Sequence, residues 1–105
     1  MIVKLTKSKR KDKKFMVEVD GKKIHFGAKG YGDYTIWNKK KGKVFADKKK
    51  KSYLARHKPR EDWTNRGIKT AGFWSRYILW SKPSLQSSIK ETEKKFNIDI
   101  VRVAP

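Results

Sequence analysis

The sequence predicts a small α+β protein, an antiparallel sheet packed against two or three short helices, and three observations carry that prediction. Two runs of alternating apolar and polar residues, 15–19 and 22–26, flank Asp20 and Gly21, a pair that tolerates the positive φ angles of a tight hairpin turn. Residues 70–80 include Phe73, Trp74, Tyr77, Ile78 and Trp80, too much apolar surface to be left in water, and read as a short buried helix. Leu85, Ile89 and Phe96 recur at helical spacing behind Ser84, a residue suited to capping a helix.

The remaining elements follow in chain order. Residues 2–5 alternate weakly and predict a short strand, followed by a basic loop over 7–14. In the hairpin, Phe15, Val17 and Val19 share a face with Ile24 and Phe26, while Glu18, Lys23 and His25 look outward. Gly27, Gly30 and Gly32 mark 27–34 as a loop needing unusual backbone angles. The spacing matches a nucleotide-binding loop poorly, because no lysine and hydroxyl follow it, so a structural turn is expected. Residues 44–54 predict a helix with Asp47 near its start and Tyr53, Leu54 and His57 toward one side, ended by Pro59. Lys82, Pro83 and Ser84 punctuate the chain before the amphipathic helix 85–96, which Asn97 closes. Residues 98–103 alternate well enough for a final strand, expected to pair with the hairpin in the antiparallel sheet.

A chain of 105 residues is too short for two independent cores, so one domain is expected. Residues 1–14 form its basic N-terminal strand and loop. Residues 15–105 form a single α+β domain with a lysine-rich insertion at about 38–52. The four Trp, four Tyr and five Phe supply a core that disordered sequences lack. There is no cysteine, hence no disulfide framework and no thiolate metal site, and no apolar run approaches the length of a membrane span. The N-terminus lacks the apolar stretch of a secretory signal, which predicts an intracellular setting.

Charge is the dominant functional signal. The chain carries 29 lysines and arginines against 10 aspartates and glutamates, a formal net charge of +19. Like charge at this density opposes compaction, so an anionic partner explains the excess better than the fold does. The charge is clustered. Residues 39–60 hold eleven basic side chains (Lys39, Lys40, Lys41, Lys43, Lys48, Lys49, Lys50, Lys51, Arg56, Lys58 and Arg60) and one acid, Asp47. Residues 4–14 hold seven, among them Lys7, Lys9, Arg10 and Lys11, against Asp12. Lysine outnumbers arginine heavily, which favours sequence-independent attraction to phosphates over bidentate reading of bases.

The aromatic residues have two competing uses. Trp74 and Trp80 read as core, whereas Trp37, beside the lysine run, is the candidate exposed ring for stacking on bases or meeting a partner, with Tyr31 and Tyr34 as further candidates. Catalysis finds little support. His25 and His57 lie in different elements without a carboxylate or nucleophile at a spacing that makes a catalytic pair. Glu61 and Asp62 read as a local salt bridge with Arg60 and Arg66 rather than as metal ligands. No cofactor, no metal and no small-molecule substrate are expected.

Four blocks carry a family resemblance: residues 26–35, Tyr53-Leu54-Ala55-Arg56-His57, Glu61-Asp62-Trp63, and 69–85, which contains Gly72-Phe73-Trp74-Ser75 and Trp80-Ser81-Lys82-Pro83. Together they resemble a family of small basic proteins, functionally uncharacterised, encoded by large double-stranded DNA viruses of algae and amoebae. The resemblance spans most of residues 14–96. It implies a viral product carried in the virion and assembled inside the host cell, in its cytoplasm or nucleus. It also marks Gly30, Asp33, Tyr53, His57, Trp63, Phe73, Trp74, Trp80, Lys82 and Pro83 as motif residues serving either structure or binding, and pairing of Asp33 with a buried Arg or His is the structural reading. Residues 36–52 are longer and richer in lysine than the family pattern.

These readings converge on a non-enzymatic, virion-associated protein that binds nucleic acid, DNA before RNA, without sequence specificity. The alternative is a minor capsid or internal scaffold protein whose lysines lie on acidic surfaces of other virion proteins.

Overall fold

The computed structural model describes residues 1–104; Pro105, the last residue of the expected domain, lies outside them. Four strands, β1 (Ile2–Lys7), β2 (Lys13–Val19), β3 (Lys22–Ala28) and β4 (Asp99–Arg102), form one sheet in the order β3-β2-β1-β4. The β2–β3 hairpin turns on Asp20 and Gly21 at φ of 49° and 79°, the pair of positive angles that lets a two-residue turn follow the twist of its strands. Its register sets Phe15 opposite Phe26 and Val17 opposite Ile24, all toward the helices.

The sheet departs from the sequence-based expectation at its other edge. β4 does not extend the hairpin but pairs with β1, and it does so parallel, with Val3 opposite Ile100. The sheet is therefore mixed. β1 is an inner strand, and Val3 and Leu5 are fully buried, which makes the basic N-terminal segment an integral part of the sheet.

The helices cover one face of the sheet. α1 (Tyr34–Lys41) and α2 (Lys43–His57) meet at Gly42, whose φ of 86° turns the chain between them. α1 was not legible as a helix: Asp33 caps it by accepting a hydrogen bond from the Ile36 amide, and the loop after β3 is correspondingly short. α3 (Ala71–Trp74) runs without a break into a π-helical turn, Ser75–Leu79, closed by a bond from the Trp80 amide to the Ser75 carbonyl. α4 (Leu85–Phe96) starts on a reciprocal Ser84–Ser87 capping box and ends at Asn97 in the left-handed conformation.

The core is aromatic where α3 meets α4. Phe73 lies 4.8 Å from Tyr77 and 4.9 Å from Phe96, ring centre to ring centre, and the fully buried Trp74 donates its Nε1 hydrogen to the Ile68 carbonyl. Tilted and edge-on aromatic pairs of this kind contribute about 0.5–1.5 kcal/mol beyond the area they bury.

Candidate nucleic-acid interface

Ion pairing leaves most of the positive charge unmatched. Only four of the 29 lysines and arginines, Arg10, Lys14, Lys43 and Lys69, form an ion pair with a carboxylate among the described residues.

α2 splits its charge between two sides. Ala46, Lys50, Tyr53 and His57, spaced by four, three and four residues, turn toward the body of the protein, while Lys48, Lys51 and Arg56 stand exposed. Lys39, Lys40 and Lys41 occupy the last turn of α1, where cations meet the negative end of the helix, and all three are exposed. Lys58 and Arg60 extend the exposed charge over a short 3₁₀ turn, Lys58–Arg60.

Three of the expected contact lysines are otherwise engaged. Lys43 lies 2.7 Å from Asp47, which also accepts from the Tyr34 hydroxyl at 2.6 Å. These two bonds hold the Asp47 carboxyl below its ordinary value, and the Asp47 partner raises both Lys43 and Tyr34. The Lys49 ammonium sits 5.5 Å above both the Trp37 and the Phe45 rings. Lys50 turns inward and donates to the Ser81 carbonyl at 2.8 Å.

Two of the candidate stacking rings are also internal. Tyr34 is buried, because its hydroxyl reaches Asp47 across the α1–α2 corner. Trp37 is half-buried: its indole lies so close to Gly32 that a β-carbon there would clash with the ring, and it packs edge-to-face with Phe45 at 5.2 Å between ring centres. Tyr31 alone of the three is open, at 74% exposure.

The N-terminal cluster is held in a turn. Ser8 Oγ bonds His25 Nδ1 at 2.7 Å and accepts from the Arg10 amide, while Lys7, Lys9, Arg10 and Lys11 face solvent. Lys7 and Lys29 border a groove of about 440 Å³ whose other wall includes Thr35 and Ile36 of α1, so part of the N-terminal cluster lies beside the first turn of that helix.

The motif blocks converge on a second feature, a cleft of about 380 Å³ between the glycine loop, α2 and the start of α3. Tyr53 stacks between His57, at 4.2 Å, and Trp80, at 4.5 Å and nearly parallel. Burial, aided by the Glu61 charge, raises the Tyr53 phenol well above its ordinary value. His57 Nδ1 meets Glu61 Oε2 at 2.9 Å, and Trp63 Nε1 donates to the other carboxylate oxygen at 2.8 Å. Glu61 in turn covers Gly72, where a β-carbon would come within 2.6 Å of its carboxyl carbon.

The acidic pair 61–62 therefore makes no salt bridge to Arg60 or Arg66. Glu61 serves His57 and Trp63, and Asp62 accepts from the Thr64 amide at 2.9 Å and from its hydroxyl, bonds that lower its pKa. The partner of Asp33 is likewise neither Arg nor His but Lys14, at 2.8 Å, which also donates to the Tyr31 carbonyl at 2.6 Å and ties down the loop carrying Gly30. Phe73 and Trp74 lie in the core, and Lys82 and Pro83 are exposed between the π turn and α4.

Sequence reasoning missed Glu61, Gly72 and Ser75 as parts of this cleft, although Glu61 stands four residues after His57. At the mouth, Lys13 and Arg56 carry charge without an ion-pair partner among the described residues. The arrangement can hold an imidazole in one orientation beside two cations. Among the described residues no group of three or more His, Asp or Glu side chains could hold a metal ion, and no helix is long and apolar enough to cross a membrane.

Residues 3–57 match the model of a family described as a family of unknown function, DUF5754. The chain matches no curated protein and no solved structure.

Proposed function

The chain belongs to the DUF5754 family, whose function is unknown, and we propose that this member is a non-enzymatic basic protein that binds nucleic acid without sequence specificity. The contact surface runs over Lys39, Lys40, Lys41, Lys48, Lys51, Arg56, Lys58 and Arg60, with Lys7, Lys9, Arg10 and Lys11 as a second patch. One observation carries the reading: these side chains are exposed, and apart from Arg10 none has a carboxylate partner among the described residues. A polyphosphate chain neutralises such a surface and releases its own counterions in doing so. The lysines act as point charges, which suits backbone contact on duplex DNA rather than the reading of base edges. A virion setting, with assembly in the host cell, rests on the resemblance of the motif blocks to proteins of large DNA viruses.

A mobility-shift titration of duplex DNA over a salt series tests the proposal. Affinity falling by orders of magnitude between about 50 and 200 mM salt, equally for unrelated sequences, is the expected result. Salt-insensitive binding, or none, contradicts it.

A second reading has its own observation. Val44 is 75% exposed and Phe45 is partly exposed in the midst of the lysines, an apolar centre with a charged rim such as protein interfaces show. It makes the protein a minor capsid or scaffold component on an acidic protein surface. Cross-links to shell proteins rather than to the genome in purified particles favour it.

A further inference from the structure

Beneath the α1–α2 surface, four cations from four segments of the chain line one small pocket of about 190 Å³: Lys50 of α2, Arg76 of the π turn, Lys82 of the loop after it, and Lys95 of α4. None of them forms an ion pair among the described residues, and the single acid on the wall, Glu91, pairs with none of them. We infer that this pocket is a built site for a phosphate dianion, separate from the exposed lysines of α1 and α2 and independent of whether those bind nucleic acid.

Two of the four cations are fixed in place. Arg76 donates from Nη1 to the Trp80 carbonyl at 2.9 Å, and its guanidinium lies 5.5 Å from the centre of the Trp63 ring and 5.2 Å from that of Tyr77. Lys50 donates to the Ser81 carbonyl at 2.8 Å and lies 4.8 Å above the Tyr34 ring. The two carbonyls follow the π turn, where the helix leaves acceptors unpaired. Each cation thus spends one hydrogen on the backbone. The guanidinium has four further N–H donors and the ammonium two, none with a hydrogen-bond partner among the described residues.

The loop itself is pinned. The Lys82 amide donates to Ser88 Oγ at 3.0 Å, which sets the base of the Lys82 side chain against α4. Burial, then the charges of Arg76 and Lys82, lower the Lys50 pKa, so these cations repel one another across a partly desolvated space. A dianion relieves that repulsion, and a phosphate group with three terminal oxygens can accept from several of these donors at once. A nucleobase lacks the negative charge that would offset four cations.

Two sources offer this chemistry, free phosphate and the terminal phosphate of a nucleic-acid strand. The test follows the Arg76 side-chain Nε resonance of the full chain, at physiological salt, during titration with inorganic phosphate. A saturable shift is expected, with affinity lowered about tenfold or more by Lys82→Ser with Lys95→Ser. Glu91→Gln tightens binding, and Lys39→Ser with Lys40→Ser and Lys48→Ser leaves it unchanged. Competition then assigns the source: a 5′-phosphorylated single strand that displaces phosphate better than its 5′-hydroxyl counterpart identifies strand ends, and equal displacement identifies the free ion. A non-saturable shift at Arg76, or equal affinity in the Lys82 and Lys95 double variant, overturns the inference. Because the Lys39, Lys40 and Lys48 variant separates the two surfaces, loss of duplex binding alone leaves it standing.

Discussion

Lys14 Nζ lies 2.8 Å from Asp33 Oδ2, and the two side chains are only 14% and 6% exposed. This pair joins strand β2 to the residue that starts α1, since the other Asp33 oxygen accepts from the Ile36 amide at 3.0 Å. A lysine of the N-terminal basic cluster thus serves the fold rather than a partner.

Asp33→Asn keeps a capping oxygen but strands a nearly buried ammonium. Removing one partner of such a pair costs about 3–5 kcal/mol, so chemical denaturation should show a loss on that scale. Adding Lys14→Met should recover part of it, because the uncompensated charge is gone. A fully additive double variant contradicts the coupling.

Gly32→Ala should destabilise by about 1–3 kcal/mol, since its β-carbon would come within 2.4 Å of the rigid Trp37 ring. Changed tryptophan fluorescence in the folded state accompanies that loss if the ring is displaced. Unchanged stability and fluorescence contradict the packing.

Ser84→Ala removes the acceptor for the Ser87 amide, bonded at 3.1 Å, at the start of α4. The expected cost is about 1 kcal/mol, read from the unfolding midpoint, with nucleic-acid affinity untouched.

Alkaline pH should weaken the fold through Tyr53. Its phenol titrates above its ordinary value of 10.0 in the folded protein, chiefly by burial and then by the Glu61 charge. Below pH 10 the phenol is protonated in both states and the full stability is present. As pH rises past that point the unfolded chain releases the proton first, and stability falls until the folded value is passed. Tyr34 and Tyr77 are raised as well and add to the trend. Tyr53→Phe should flatten the decline in denaturation curves taken from pH 8 to about 11. An unaltered slope contradicts the assignment to Tyr53.

Much of this fold is written locally. Asp20 and Gly21 announce the hairpin, Ser84 and Asn97 bound α4, and the apolar density of Phe73, Trp74 and Ile78 marks the buried helix. α1 was hidden because its sequence, Tyr34–Lys41, has no apolar stripe and its cap is stabilised by Lys14, nineteen residues earlier. The parallel pairing of β4 was hidden for another reason: alternation says which face a residue takes but not which strand lies beside it or in which direction.

The candidate site was legible as charge and not as geometry. Counting lysines does not separate Lys50, drawn inward along the stripe of Ala46, Tyr53 and His57, from Lys48 and Lys51, which face solvent. The spacing of that stripe was the available signal. The cleft and the phosphate pocket needed the tertiary structure, because Arg56, Glu61 and Gly72, like Lys50, Arg76 and Lys95, meet only after the helices pack.

The central claim is that exposed lysines on α1 and α2 neutralise phosphates. It is tested most directly by comparing duplex DNA affinity over a salt series for the natural protein and for Lys39→Ser, Lys40→Ser, Lys48→Ser and Lys51→Ser combined. Each phosphate contact adds about 0.9 to the slope of log affinity against log salt. The variant's slope should therefore be shallower by about three to four, with the folded state intact. Equal slopes for the two proteins would contradict the claim.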